Sequence, residues 1–127
     1  YKILFDTKID YPDSCPITET DMTVLLGNLL ENAVEACQRQ SSGQKFIKLR
    51  IKRHGSSELL ILTDNSCTIP VTFQDGIPMS SKRKGMGVGA SSIQDIAERY
   101  HGTVRFEWKE DVFYASVLLQ YENSGDR

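Results

Sequence analysis

The stretch Gly27-Asn28-Leu29-Leu30-Glu31-Asn32-Ala33-Val34-Glu35-Ala36 limits the possible folds more than any other, because it sets two poor helix formers, Asn28 and Asn32, one turn apart inside a strongly helical segment. On a 3.6-residue period Met22, Leu25, Leu26, Leu29, Ala33 and Ala36 gather on one face, while Asn28, Glu31, Asn32 and Glu35 gather on another. Such a helix has a core side and a separate amide-and-carboxylate stripe. Each asparagine costs about 0.5 kcal/mol relative to alanine in a helix interior, a cost that a merely solvated face avoids by using Lys, Glu or Gln. A hard cation or a phosphate network accounts for the choice. Taken alone, the stripe also reads as an incidental polar surface.

The chain has 127 residues, 39% of them hydrophobic, which suits a single domain over 1–127 that buries its own core without staples. A formal net charge of -2 gives no global positive field for nucleic acid, and the one dense basic run is Lys82-Arg83-Lys84. Any anion is therefore met locally. The three cysteines, Cys15, Cys37 and Cys67, lack metal-ligand spacing and read as reduced thiols of a cytoplasmic setting. No apolar run is long enough to span a membrane, so no membrane contact by this domain is expected. The strand-like start close to Tyr1 suggests a piece of a longer protein.

Along the chain, Lys2 to Ile9 alternates as a strand and is followed by Pro12 and Pro16 in a loop. Thr18 or Thr20 caps a helix that runs to about Gln40 and stops at Ser41-Ser42-Gly43. Two strands, 46–52 and 58–63, flank the turn His54-Gly55-Ser56-Ser57 and should pair antiparallel. From Asn65 to Lys84 periodicity is lost, which marks a functional lid or a disordered loop. Ala90, Ile93, Ile96, Ala97 and Tyr100 recur at helical spacing, and Gly102 closes that helix. Thr103 to Trp108 and Val112 to Gln120 form a second hairpin across Glu110-Asp111. The order predicts an α+β, two-layer sandwich with a mixed, mostly antiparallel sheet of about five strands and helices on one face.

Three elements recur in a telling order. They are the Asn-bearing helix, Thr63-Asp64-Asn65-Ser66 at a strand end, and Gly85-Met86-Gly87-Val88-Gly89-Ala90-Ser91-Ser92-Ile93 opening a helix. In order and spacing they resemble the N, G1 and G2 boxes of the GHKL superfamily, whose Bergerat ATP-binding fold is shared by DNA gyrase, the heat-shock chaperone, histidine kinases and mismatch-repair ATPases. Asn-Leu-Leu-Glu-Asn-Ala-Val-Glu-Ala-Cys, Gly-Met-Gly-Val-Gly and the Tyr100-His101-Gly102 turn are most similar to the catalytic domain of sensor histidine kinases, particularly the peptide-sensing, quorum-sensing branch. The resemblance covers nearly the whole chain.

It implies ATP and Mg2+ as cofactors, with Asn32 as the metal ligand and Asn28 beside the same ion or the phosphates. One amide oxygen is an adequate anchor for Mg2+, which keeps waters and substrate phosphates as its other ligands. Asp64 would accept the exocyclic amine of adenine, which carries donor hydrogens that guanine lacks at that position. By itself, an Asp-Asn pair after a strand is also simply a turn. Ser66 and Thr68 stand where the family commonly has glycines, a departure in the path of that loop. Gly85, Gly87 and Gly89 let backbone amides and a helix N-terminus approach phosphate, and the context matches neither a P-loop nor a Rossmann turn. The resemblance further implies nucleotide contacts from Glu35, Ile69, Met86 and Val88, while Lys82 and Lys84 either bind phosphate or form a solvated basic face.

The gyrase and chaperone branches carry a glutamate at the first N-box position, where this chain has Asn28, so hydrolysis should be slow. Glu31, next to Asn32, is the candidate base, or else an ordinary solvent-facing glutamate. Neither histidine reads as a phosphoacceptor, since His54 starts a turn and His101 ends a helix. Phosphoryl transfer needs mainly positioning and charge stabilisation. The resemblance thus implies donation of the terminal phosphate to a histidine on a separate dimerisation segment of a membrane-bound parent kinase, with a response regulator downstream. The alternatives are a nucleotide-binding regulatory module without transfer and a serine kinase of the anti-sigma-factor type.

Overall fold

The computed structural model describes residues 2–79 and 88–121. In chain order the elements are β1 (Ile3–Ile9), α1 (Glu19–Arg39), β2 (Lys45–His54), β3 (Glu58–Ser66), β4 (Phe73–Gln74), β5 (Ile77–Pro78), α2 (Val88–Arg99), β6 (Thr103–Lys109) and β7 (Val112–Gln120). β1, β2, β3, β7 and β6 form one sheet in that spatial order, while β4 and β5 form a separate small hairpin. β1 runs parallel to β2, as a strand must after a helical crossover, and the other pairings of the main sheet are antiparallel. This is the mixed, mostly antiparallel α+β architecture expected from the sequence.

Period-two alternation decides which side of the sheet is core. On β3, Leu59, Ile61, Thr63 and Asn65 are buried, whereas Leu60, Leu62 and Asp64 are half-buried on the opposite face. Leu49 and Ile51 from β2 and Ala115, Val117 and Leu119 from β7 join Leu59 and Ile61 in one core with Met22, Leu25 and Leu29 of α1 and Ala90, Ile93, Ile96 and Ala97 of α2. Both helices therefore cover the same face. Burying an aliphatic side chain such as Leu25, Leu59, Ile61 or Ile93 completely contributes roughly 2 kcal/mol each. Ala33, Cys37 and Ile47 form a smaller cluster toward the far end of α1.

Local chemistry sets the element ends. Thr18, not Thr20, is the N-cap of α1; its hydroxyl accepts from the Asp21 N–H at 3.1 Å, and Glu19 and Asp21 place acidic charge at the positive helix end. At the C-terminus of α2 the N–H of Gly102 reaches the Ala97 carbonyl at 2.7 Å and that of His101 reaches Glu98 at 3.1 Å, the paired bonds of a Schellman motif. His101 takes the left-handed position, with φ 54°. Gly102 is needed for a different reason from closing the helix: a Cβ there would stand 1.7 Å from the Leu118 carbonyl oxygen of β7.

The segment expected to be irregular from Asn65 onward is partly ordered. β3 continues through Ser66, because the Ser66 hydroxyl accepts the Phe46 N–H at 3.1 Å and the next residue, Cys67, bonds through its own N–H to the Asp111 carbonyl at 2.8 Å. The Trp108 indole N–H donates to the Cys67 carbonyl at 2.8 Å, pinning the strand exit to β6. Beyond it, Asp75 and Gly76, with φ 54° and 78°, turn the β4–β5 hairpin, an Asp-Gly signal that lay in the sequence unused.

Candidate functional site

α1 lies across the sheet with Leu25, Leu29, Ala33 and Cys37 inward, so its amides fall on the flank that meets α2. The meeting point is Gly89, the second residue of α2. A methyl group on Gly89 would stand 3.2 Å from Asn28 Oδ1 and 3.4 Å and 3.5 Å from Asn32 Oδ1 and Nδ2. Two amides from successive turns of one helix and the glycine start of another thus converge. Asn28 Nδ2 donates one of its two hydrogens to the Val24 carbonyl at 2.9 Å, which orients the amide with Oδ1 toward the junction.

This donor set suits a hard cation that keeps other ligands. Among the described residues there is no cluster of three or more His, Cys, Asp or Glu able to cage a metal. Neutral amide oxygens beside a helix N-terminus fit Mg2+ carried in with phosphates better than a dedicated all-protein site. Asn32 and Asn28 are the residues that would hold it.

The other expected residues lie at several places. Glu35 is half-buried on the same stripe, and Glu31 is exposed one residue before Asn32. Val88 opens α2. Ile69 is exposed beyond the end of β3. Lys82, Lys84, Gly85, Met86 and Gly87 lie outside the described residues.

Asp64 lies elsewhere on the strand than expected. It is neither the last residue of β3 nor on the helix-covered face; it pairs in register with Lys48 and Tyr114 on the outer side of the sheet. Its electrostatic surroundings agree, since burial pushes its carboxyl up while Lys48 and Arg50, both outer-face residues of β2, pull it down. The physical reason is the pleat: in Leu59, Ile61, Thr63, Asn65 every second side chain points inward, and Asp64 falls between two of them. The inward polar residues are Thr63 and Asn65, each only 2% exposed. Alternation counted back from Ile61 could have found them.

Asn65 sits in a cross-sheet row with Ile47 on β2 and Phe113 on β7. Ala33 and Cys37 of α1 pack over Ile47. On the other side, the Phe73 ring of the β4–β5 hairpin stacks on Phe113 at 6.3 Å between centroids, and Phe106 stacks behind it at 6.1 Å. Asn65 is thus buried between Ile47, which packs under α1, and Phe113, on which the hairpin ring of Phe73 stacks. Ser66 is used structurally: besides Phe46, its hydroxyl meets Cys37 Sγ at 3.6 Å.

An α+β sandwich with both helices on one face of the sheet and an amide pair at their junction describes the class, and comparison defines the family. A family model described as GHKL domain matches residues 17–120, and the chain belongs to that family. It is 28% identical over 126 residues to the sensor histidine kinase CitA of Klebsiella pneumoniae, covering 94% of this chain and 22% of that protein. With the sensor histidine kinase DpiB of Escherichia coli (strain K12) it shares 27% identity over 97 residues, covering 72% and 18%. The catalytic domain of histidine kinase ThkA superposes with a TM-score of 0.69 at 20% identity, over 94% of this chain and 78% of that one, which shows a common fold. The chain spans about a fifth of the length of the curated relatives it matches.

Proposed function

We propose that this domain binds Mg-ATP between α1 and the segment leading into α2, and donates the terminal phosphate to a histidine on a separate dimerisation segment of a sensor histidine kinase. The observation that carries the reading is the convergence of Asn28 Oδ1 and Asn32 on Gly89, which sets oxygen donors against a helix N-terminus at one point. When bound, Mg2+ supplies positive charge against the phosphate oxygens. The chain's own residues orient: the two amides fix the polyphosphate side, and the start of α2 offers backbone N–H groups to anions. Glu31, exposed beside Asn32, is the proposed base toward an incoming nucleophile. Lys82, Lys84 and the glycines Gly85 and Gly87 are proposed phosphate contacts, and Glu35, Ile69, Met86 and Val88 complete the proposed nucleotide site.

Neither histidine of the chain is built as the acceptor. His54 Nδ1 pairs with Glu58 at 2.7 Å in the β2–β3 hairpin, and His101 is the left-handed cap of α2. The phosphoacceptor helix, a response regulator and a cytoplasmic placement beneath a membrane-bound parent are therefore part of the proposal; no helix of the described residues is long and apolar enough to cross a membrane itself. The peptide-sensing branch is the finer reading, supported by the Asn28-to-Cys37 pattern together with Gly85 to Gly89 and the Tyr100-His101-Gly102 turn.

One observation favours a second reading, a nucleotide-binding module without transfer: the aspartate expected in the site faces the other side of the sheet. Labelling with γ-phosphate-tagged ATP in the presence of a dimerisation segment separates the two. Acid-labile, alkali-stable phosphate that disappears with Asn32→Ala supports the kinase. Nucleotide binding without label supports the module, and acid-stable phosphoserine on a partner points to the serine-kinase alternative.

A further inference from the structure

We infer that the outer edge of β1 is a self-association surface, to which a second copy of this chain adds its own β1 antiparallel, with Thr7 opposite Thr7 on a two-fold axis. The proposed nucleotide site takes no part in it. Asn28 and Asn32 lie on the flank of α1 that meets α2, whereas β1 closes the other end of the sheet.

β1 ends the strand order of the main sheet, so among the described residues one of its edges pairs with β2 and the other with nothing. Such an edge is ordinarily blunted by proline, by a bulge or by a very short strand. β1 instead keeps unbroken register with β2 from Ile3 to Ile9 and contains no proline. Phe5 and Ile9 register with Ile47 and Ile51 and so share the helix-covered face, yet they are 57% and 59% exposed. The packing of α1 reaches β2 and, on β1, only Ile3. Two large apolar side chains thus stand on the core side of the sheet with no layer above them.

Backbone direction limits how a second strand can dock. In a parallel pair, alternate residues of a strand turn their peptide groups to the neighbour. The Asp10 N–H donates to the Ile51 carbonyl at 2.8 Å, so the even-numbered residues bond to β2, while Ile3, Phe5, Thr7 and Ile9 turn N–H and C=O to the open edge. An antiparallel partner must therefore set odd-numbered residues opposite odd-numbered ones.

Charge selects among the registers that remain. Those centred on Phe5, Asp6 or Thr7 keep most of β1 paired. Phe5 on the axis sets Lys2 against Lys8. Asp6 on the axis brings Lys2 to Asp10 but places the two Asp6 carboxylates against each other at the centre. Thr7 on the axis sets Asp6 opposite Lys8 of the second copy and Lys8 opposite its Asp6, while Phe5 meets Ile9 twice on the other face. Arg50 already holds Asp6 Oδ2 at 2.8 Å, which positions a carboxylate that can accept a further hydrogen bond. The two sheets then run into one, with α1 of each copy on the same face and Phe5 and Ile9 of both copies in the trough between them.

The test is sedimentation equilibrium of the whole chain at low salt from about 1 μM to 1 mM, the span of weak to moderate specific association. The mass of the wild type should rise toward that of two chains. Thr7→Pro removes only an outward N–H, a change that edge strands tolerate, so it should keep a cooperative melt and sediment as one chain. Lys8→Asp and Asp6→Lys each set like charges opposite one another in their own dimers, and each should dissociate about tenfold more readily than wild type. Mixed in equal amounts, the two variants regain both opposite-charge pairs and should associate as tightly as wild type. Should Thr7→Pro fail to fold, the mixture decides. A mixture no tighter than its components, or a folded Thr7→Pro variant that pairs as wild type does, overturns the proposal. A wild type that stays a single chain throughout also overturns it, and gives the edge to a different occupant.

Discussion

The phenol of Tyr100, just past the end of α2, donates to the carboxylate of Asp21 in the first turn of α1, and the Arg99 guanidinium pairs with the other oxygen of the same carboxylate. Tyr100 Oη also accepts from the Thr18 N–H at 3.1 Å, so one side chain of α2 ties down both the cap and the first turn of α1. The clamp fixes how the two helices cross, and that crossing brings Asn28 and Asn32 to Gly89. The Tyr100 hydrogen bond is the main cause that holds the Asp21 carboxyl below its usual range, with Arg99 adding to it against the opposing effect of burial.

Because the folded state holds Asp21 ionised at lower pH than the unfolded chain does, its contribution is complete above the unfolded carboxylate range and is lost as pH falls through the lower, folded value. Tyr100→Phe should cost about 1 kcal/mol at pH 7, and the difference from wild type should shrink in acid as both states become protonated. Thermal melts between pH 7 and pH 2.5 check this. A gap independent of pH would show that Tyr100 acts by packing alone.

Asp64 predicts the opposite sign. Burial raises its folded value, so ionising it opposes folding, and the penalty grows as pH rises through the carboxylate range. Asp64→Asn should therefore melt higher than wild type at pH 7, with the two converging below about pH 3, where the unfolded carboxyl is protonated as well. A variant less stable at neutral pH would show that the attraction of Lys48 and Arg50 outweighs the desolvation.

Where α2 meets β7, two neighbouring residues should respond in opposite directions. His101→Gly removes a side chain from a left-handed position and should stabilise by about 1 kcal/mol. Gly102→Ala places a methyl 1.7 Å from the Leu118 carbonyl and should destabilise by about 3 kcal/mol, since two backbones must part. Denaturant midpoints of the two variants measure both; equal midpoints would contradict the division of labour between cap and contact.

That pair also shows what the sequence carried and what it did not. A glycine after a helical repeat marked where α2 ends, yet sequence alone could not tell a left-handed cap from a close approach to a strand 16 positions later, because that approach exists only once β7 has paired with β6. The strands, the helices and the amide stripe of α1 were legible because each rests on a local period. Asp64 was misplaced for a related reason: recognising a motif fixes which residues are present, whereas the pleat fixes which of two adjacent ones points at the helices. Asn65 was passed over although the alternation of Leu59 and Ile61 already indicated its side. The Asp75-Gly76 turn was legible too, but flanks of two residues gave no strand period to confirm it.

Gly89 separates binding from folding most directly. In a helix, alanine is favoured over glycine by about 0.5–1 kcal/mol, so Gly89→Ala should hold or raise thermal stability. The added methyl meets Asn28 Oδ1 at 3.2 Å, tighter than ordinary van der Waals contact, so that amide must shift by a few tenths of an ångström, and it closes against the Asn32 amide at 3.4 Å. An anchor built from oxygen donors on one helix and backbone amides on another is sensitive to displacement of that size, and Mg-ATP affinity should fall about tenfold. Calorimetric titration of Gly89→Ala beside wild type, with melts of both proteins, reads the two effects independently. Unchanged affinity in a fully folded variant would mean that the junction of α1 and α2 is not where the nucleotide sits.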